Sequence, residues 1–390
     1  MLFTNRRSDA PRLRKTLLPF PALLLFALIA SGPTAIADPG SQAAPRAKVR
    51  LAIVGLNHDH VWGILKDIEA EKNSELVAIA ETDQNLVSRA KGRVPPSVRF
   101  YGDFRNMLDE VKPDAVIATT SNDRHLEILR ECARRHIHFS TEKPMAISGA
   151  DAREMARLAE AAGIKLMVNY WNAWVPPTPA LVEHVRSGEV GPVQKIVVEY
   201  GHSGPKEIGV SPQFEDWLYD PQKNGGGAIV DFGCYGAEWA LWLKGMPTRV
   251  FALSKKIKVA QHNQVDDDAT IVLDYPDGTA ILQASWDWPY GMERVKVFGP
   301  KGSLLATSNQ LLLRGAKDKA ADVGLEGKPL ELPALPPEKS NPVSYFVDRI
   351  RRDRPIEDPV SAALNVQVLE ILDAARRSLE SGRAEEIKLH

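Results

Sequence analysis

Between Lys48 and Tyr170 the chain alternates short apolar runs with amphipathic stretches, and this alternation limits its fold more than any other feature. "KVRLAIV", "SELVAIAE", "VRFYG", "DAVIATT", "HIHFSTE" and "IKLMVNY" have strand length, and several are apolar on both faces. Between them stand helical patterns: a stretch from about His58 to Glu71, then "DQNLVSRAKG", "NDRHLEILRECARR" and "GADAREMARLAEAAG". Strands buried on both faces and separated by helices imply a parallel sheet covered on either side. Right-handed crossovers make this a doubly wound α/β domain, assigned to residues 38–170.

After "VPPTP" the pattern changes. "VQKIVVEYG", "RVFALSKKIKV", "DATIVLDYP", "TAILQASWDW" and "RVKVFG" alternate nearly with period two, and "YPDG" is a hairpin signal. Residues 171–390 therefore form an α+β domain with a large, mostly antiparallel open sheet. One face is expected under helices and the other against a second copy of the chain. Two helical patterns over 342–382 are expected to pack back towards the first domain. The run "VDDDAT" reads as a solvated strand entrance.

The first 37 residues are set apart. Basic "NRRSDAPRLRK", apolar "TLLPFPALLLFALIA" and the small-residue end Ala35-Ile36-Ala37 follow the order of a secretory signal. The apolar run is short for a membrane span. Removing the leader takes five of the 49 Lys+Arg and one of the 50 Asp+Glu, leaving a net charge of −5. That balance argues against nucleic acid or an anionic membrane as partner. Cys132 and Cys234 are the only cysteines, and both read as buried free thiols.

"LAIVGLNHDHVWG" has the outline of a dinucleotide-binding turn, with Gly55 as the first fingerprint glycine. Asn57 and His60 replace the second and third. Asn57 tolerates unusual backbone angles and offers an amide donor. His58 stands in the first helical turn, near where a phosphate would bind. No metal is expected at "HDH", because residues two apart on a helix do not face each other. Glu81 ends the second strand, where a carboxylate binds ribose hydroxyls and repels a 2′-phosphate, favouring NAD over NADP.

Lys143 follows the fifth strand in "TEKPM", so it faces the crevice at the carboxyl ends of the sheet. "NGGGAIVDFGCYGAEWALWLKG" reads as a buried helix that is apolar nearly all round. Asp231, Tyr235 and Glu238 fall at i, i+4 and i+7, one polar stripe on that helix. Burying such groups without partners is costly. His202 and Trp217, in "GHSGP…FEDWLYDP", are candidate carbohydrate contacts, the tryptophan by stacking.

"TEKP", "SNDRH" at 121–125 and "GGGAIVDFGCY" together resemble the glucose-fructose oxidoreductase, inositol dehydrogenase and MocA (Gfo/Idh/MocA) family. The resemblance runs over essentially the whole mature chain, including "PVSAALNVQVLEILDAARRSLESGR". It implies a Rossmann-like first domain and a nicotinamide cofactor. Many members read D-x-G-x-H where this chain has Tyr235, which resembles the branch of glucose-fructose oxidoreductase, xylose dehydrogenases and dihydrodiol dehydrogenases. Carried onto this sequence, Lys143 and Tyr235 become the catalytic pair, and Asp231 an orienting or substrate-binding carboxylate. Thr120, Asn122, His125 and Glu142 would lie along the cofactor. A nearby ammonium is expected to lower the Tyr235 pKa from its ordinary value of about 10.

An exported nicotinamide enzyme is expected to keep its cofactor tightly bound and recycle it. Arg6-Arg7 hints at twin-arginine export, placing the protein in the periplasm or outside the cell. Three readings follow: hydride transfer on a carbohydrate or polyol hydroxyl, redox-neutral glycoside cleavage through a transient keto-sugar, or sugar binding without turnover.

Overall fold

The computed structural model describes residues 48–260 and 264–387, so the leader assigned to 1–37 lies outside the described residues. The first sheet contains β1 (Val49–Val54), β2 (Ser74–Ala80), β3 (Arg99–Tyr101), β4 (Ala115–Ala118), β5 (His138–Glu142) and β6 (Leu166–Asn169). Their order is β3-β2-β1-β4-β5-β6, with every pairing parallel. This is the doubly wound order, in which ligands bind outside the carboxyl ends of the strands.

Helices α1 (Val61–Ala70), α2 (Gln84–Lys91), α3 (Phe104–Val111), α4 (His125–Arg134) and α5 (Gly149–Ala162) cover this sheet. Neighbouring residues of β1 face opposite layers, as a pleated strand requires. Leu51 and Ile53 pack with Val61, Ile64 and Ile68 of α1, whereas Ala52 and Val54 pack with Leu108, Leu129 and Cys132. Asp83, Asp103 and Ser148 cap α2, α3 and α5 by accepting from first-turn amides.

The second half carries α6 (Pro177–Arg186), β7 (Lys195–Gly201), α7 (Pro212–Leu218), α8 (Pro221–Asn224), α9 (Ala228–Asp231) and α10 (Gly233–Lys244). Next come β8 (Arg249–Lys255), β9 (Asp268–Tyr275), β10 (Gly278–Ser285), β11 (Met292–Gly299), β12 (Gly302–Thr307) and β13 (Leu311–Gly315). The chain closes with α11 (Ala320–Val323), β14 (Lys328–Pro329), α12 (Pro342–Arg351), α13 (Ala362–Ser381) and β15 (Glu385–Glu386). The sheet order is β14-β13-β12-β11-β7-β10-β9-β8-β15. Only the β7–β10 pairing is parallel among those described. Along β9, Ala269, Ile271, Leu273 and Tyr275 point inwards to the core, with α9 packed on the strand, while alternate residues are half-exposed. Helix α13 also packs on α5, and α12 on α1, so the C-terminal helices tie both sheets together.

The acidic run departs from its expected solvation. Asp266 and Asp267 are buried. Asp266 accepts from the amides of Gly227 and Ile229 at 2.9 and 2.7 Å, and Asp267 from those of Ile257 and Lys258 at 2.7 and 2.6 Å. Asp266 satisfies backbone donors at the end of the GGG segment and Asp267 those of the loop after β8, which a charge run read locally cannot show. Cys132 and Cys234 are buried and free. No described helix is long and apolar enough to cross a membrane.

Candidate active site

β1 ends in Gly55, whose φ of +82° suits glycine alone. A Cβ there would collide with Thr120 Cγ2 and stand 3.0 Å from the Thr119 carbonyl oxygen. Gly55, Asn57, Glu81, Thr82, Thr120 and Arg124 line a groove of about 350 Å³. Glu81 does not stand free in it. Its Oε2 accepts from the Leu56 amide at 2.6 Å, and its Oε1 from the amides of Thr82 and Asp83 at 2.7 and 2.9 Å. The carboxylate therefore clamps the turn, keeping spare acceptor capacity at Oε2.

Asn122 and His125 depart from their expected place along the cofactor, since both are buried and neither lines the groove. Asn122 Nδ2 donates to Asn224 Oδ1 at 2.7 Å, and His125 Nδ1 lies 3.2 Å from the Met145 carbonyl. Burial lowers the His125 pKa to about 4, so its ring is neutral. Three buried polar atoms nevertheless lack partners: Asn57 Oδ1, Asn122 Oδ1 and His125 Nε2. Unpaired buried polar groups beside a glycine turn and a strand-end carboxylate fit a dinucleotide, and Glu81 fits NAD.

The start of α1 also differs from the fingerprint. The helix begins only at Val61, so His58 and His60 sit in the turn before it. The amides of Val61, Trp62 and Gly63 bond back to the carbonyls of His58, Asp59 and His60. Asp59 stands at the helix start, accepting from the Ser211 amide at 2.6 Å. Trp217 does not line the substrate cavity. Its Nε1 donates to the Asn57 carbonyl at 3.0 Å, and its ring packs on Phe214 and His58. It props the cofactor loop instead of stacking on a sugar.

The second cavity, about 200 Å³, lies at the end of β5 and is lined by His58, His60, Lys143, His202, Asp231 and Tyr235, with Trp171, Phe232 and Glu293 closing it. Lys143 Nζ bonds Asp231 Oδ1 and, at 3.2 Å, the Asp231 carbonyl. Asp231 Oδ2 accepts from Trp286 Nε1 at 2.9 Å. Burial pulls the Lys143 pKa down, but the Asp231 charge outweighs it and leaves the ammonium above its ordinary value. Burial likewise raises Asp231, and the Lys143 charge overrides it, holding the carboxylate below 3.8.

Tyr235 contradicts the expected effect of the ammonium. Lys143 Nζ sits 4.9 Å from the tyrosine ring centroid, its hydrogen bonds spent on Asp231. The ring stacks on Tyr200 at 4.9 Å and meets Tyr170 edge-on at 5.2 Å. Burial, then nearby Cys234 and carboxylates, push the phenol well above its ordinary pKa. It is a proton donor at neutral pH. The helix is also not continuous: it breaks at Phe232 into α9 and α10. Asp231 and Tyr235 face the cavity, but Glu238 is buried against Asn172, 3.1 Å away, and burial raises its pKa well above the ordinary carboxylate value. The three groups are not one stripe.

Glu142 departs from its cofactor role in a similar way. Its Oε1 accepts from Asn169 Nδ2 at 2.7 Å, and its Oε2 lies 2.9 Å from His60 Nδ1. Burial raises its pKa, but His60, Asn169 and Lys143 outweigh that, so it is ionised. His202 lines the cavity as expected of a contact residue, with Nδ1 accepting from the Gly204 amide at 2.9 Å. Sequence reasoning missed Trp286, Glu293 and Trp171. Their only local signal was aromatic and acidic residues at strand ends.

A six-stranded doubly wound sheet, a glycine turn with a strand-end carboxylate, and a Lys–Asp–Tyr cavity where two domains meet define a nicotinamide-dependent oxidoreductase. The oxidoreductase family's NAD-binding Rossmann fold matches residues 49–170, and the GFO/IDH/MocA C-terminal domain matches residues 180–305. The chain belongs to the Gfo/Idh/MocA family.

It is 26% identical over 345 residues to D-apiose dehydrogenase of Paraburkholderia graminis, spanning 85% of this chain and 86% of that protein. The rhizopine catabolism protein MocA of Rhizobium meliloti is 24% identical over 217 residues, 55% of this chain and 65% of that protein. Among solved structures, aldose-aldose oxidoreductase from Caulobacter crescentus, complexed with glycerol, superposes with a TM-score of 0.73 at 24% identity, covering 87% of this chain and 99% of that one. The WlbA dehydrogenase from Bordetella pertussis, in complex with NADH and UDP-GlcNAcA, gives 0.73 at 20% identity over 88% and 100%. At these identities the structural likeness concerns the fold.

Proposed function

We propose that the protein moves hydride to or from a hydroxyl-bearing carbon of a carbohydrate or polyol, using an NAD that stays bound between turnovers in an exported enzyme. The observation that carries this reading is the convergence of Lys143, Asp231, Tyr235 and His202 on one cavity at the carboxyl end of the NAD-binding sheet. Dehydrogenation of a sugar by the relative named for apiose supports the substrate class. The order of residues 5–37 supports export. Retention is supported by three bonds from the C-terminal half onto the nucleotide turns: Trp217 to the Asn57 carbonyl, the Ser211 amide to Asp59, and Gln213 to Asp83 at 3.2 Å.

NAD, when bound, supplies the hydride acceptor or donor. Tyr235 Oη, protonated at neutral pH, gives that proton to a carbonyl oxygen in reduction; in oxidation it must first lose the proton to solvent, and the phenolate then takes the carbinol's proton. The Lys143 ammonium, held by Asp231, stabilises the negative charge that develops on that oxygen. Burial keeps the His202 ring neutral, and because Nδ1 accepts from Gly204, Nε2–H is the donor left for a further hydroxyl.

The test is to denature purified protein and assay released nicotinamide, then to offer native protein aldoses and glycosides without added NAD. Cofactor reduction by one carbohydrate and reoxidation by another is the expected result. Free sugar released from a glycoside without net redox change would replace this reading with redox-neutral cleavage. Binding without either outcome would leave a sugar-binding protein.

A further inference from the structure

His58 and His60 would diverge on a helix, but the chain at this point is still a turn. It brings the two rings to 4.4 Å between centroids, at 62°. β5 adds a third group, since the Glu142 carboxylate ends that strand with Oε2 against His60. One ligand atom from each of these residues lies within 4.8 Å of the other two. Donors this close still need side-chain rotation to reach the ~2.0–2.2 Å bond lengths of zinc. Two imidazoles and a carboxylate are also the donor set of open zinc and non-haem iron(II) sites.

Three independent features suit the cluster to a cation. First, the Glu142 carboxylate is aimed: Trp174 Nε1 donates to Asn169 Oδ1 at 2.8 Å, and Asn169 Nδ2 holds Glu142 Oε1 at 2.7 Å. Such an outer layer fixes a metal-binding carboxylate. Second, His58 is buried, and its Nδ1 lone pair is met only by a long 3.3 Å contact from the His60 amide. Third, the neighbouring positive charge is compensated, because Lys143 is paired with Asp231.

We propose that His58, His60 and Glu142 form a three-ligand site for a divalent transition metal. Both histidines line the cavity that also holds Lys143 and Tyr235, so the remaining coordination positions open towards it. There they take water or, resting on the function proposed above, a second oxygen of a substrate carrying adjacent hydroxyl or carbonyl groups. Glu142 then serves the metal and not the dinucleotide.

Cobalt(II) is the probe. Full-length protein, treated with chelator and dialysed, is titrated with cobalt and read by bound metal per chain and visible absorption. The wild type is expected to take up one equivalent and show the intense bands of a low-coordinate nitrogen–oxygen site. His60→Ala should weaken uptake more than 100-fold, and Asn169→Ala by about 10–100-fold through the outer layer. His184→Ala, at a distant surface pair, should leave uptake unchanged. Thermal melts identify any variant that is unfolded, and the half-exposed His60 is the position least tied to the core. Equal cobalt uptake by wild type and a folded His60→Ala variant, or no uptake by wild type, overturns the site. Sugar-driven NAD reduction in a protein that binds no cobalt overturns the metal site and leaves the proposed function standing; tight cobalt binding without such reduction does the reverse.

Discussion

The nucleotide groove and the β5 cavity lie in one cleft but treat their polar groups in opposite ways. Asn57 Oδ1, on the groove, and Asn122 Oδ1 and His125 Nε2, which do not line it, are buried without hydrogen-bond partners among the described residues. In the cavity the buried charged groups have partners: Lys143 pairs with Asp231, which also accepts from Trp286, and Glu142 is bonded by His60 and Asn169. Unpaired buried groups cost free energy that a ligand can recover, whereas a closed ion pair resists rearrangement and holds its charge in place. The groove is built to be completed by something that binds. The cavity is built to keep an ammonium and a protonated phenol side by side.

The contrast is broken most severely at Lys143. Lys143→Met should lower turnover by at least 10³-fold while leaving NAD binding nearly intact, because it removes the cavity's positive charge and touches no groove residue. It also leaves Asp231 buried without its cation, at a cost of about 3–5 kcal/mol. Adding Asp231→Asn should restore most of that stability and none of the activity, as read from denaturant midpoints beside rates. Recovery of both would show that Lys143 only supports the fold.

Tyr235→Phe should cost about 10²–10⁴ in turnover with little change in stability, since among the described residues no hydrogen bond of the hydroxyl is seen. The pH dependence sharpens this. Burial raises the Tyr235 pKa above its ordinary value, so the phenol is a poor proton acceptor until the solution is strongly alkaline. Oxidative kcat/KM should therefore climb with pH without levelling below about pH 10. Asp231 has the opposite sign: its folded pKa lies below 3.8, so its contribution to stability is complete above that value and is lost as pH falls through the lower one. Acid unfolding of Asp231→Asn should lack that component.

On the groove side, Gly55→Ala forces a positive φ and a collision with Thr120, and should weaken NAD binding by at least tenfold with kcat at saturating cofactor changed far less. The smallest effect is expected from Trp217→Phe. Losing the bond to the Asn57 carbonyl is worth about 1 kcal/mol and should raise the NAD Kd several-fold, with the KM for sugar unaltered. A selective rise in sugar KM would return Trp217 to the substrate wall.

The parallel sheet could be read directly because β4 and β6 are buried on both faces, and such strands carry their environment in their composition. Lys143 was legible from its place at a strand end, and Asp231 and Tyr235 from a helical spacing that survives the break at Phe232. What stayed hidden depends on partners far away in the chain. The bond between Lys143 and Asp231 joins residues 88 apart, and that pairing directs the ammonium's hydrogen bonds to the carboxylate, leaving it over the tyrosine ring. Asp266 is buried because the amides of Gly227 and Ile229 need acceptors, and Trp217 turns away from the cavity to meet Asn57. A local pattern reports burial well and reports the choice among polar partners poorly.

The central claim is that Tyr235, beside the Lys143 ammonium, handles the proton while hydride moves. It is tested most directly by a single turnover: NAD-loaded wild type and Tyr235→Phe are mixed with an aldose that the wild type oxidises, and the absorbance of reduced nicotinamide is followed in time. The account predicts a rapid rise for wild type that quickens with pH, and a rise at least a hundredfold slower and indifferent to pH for the variant. Equal rates, or the same pH dependence in both, would contradict it.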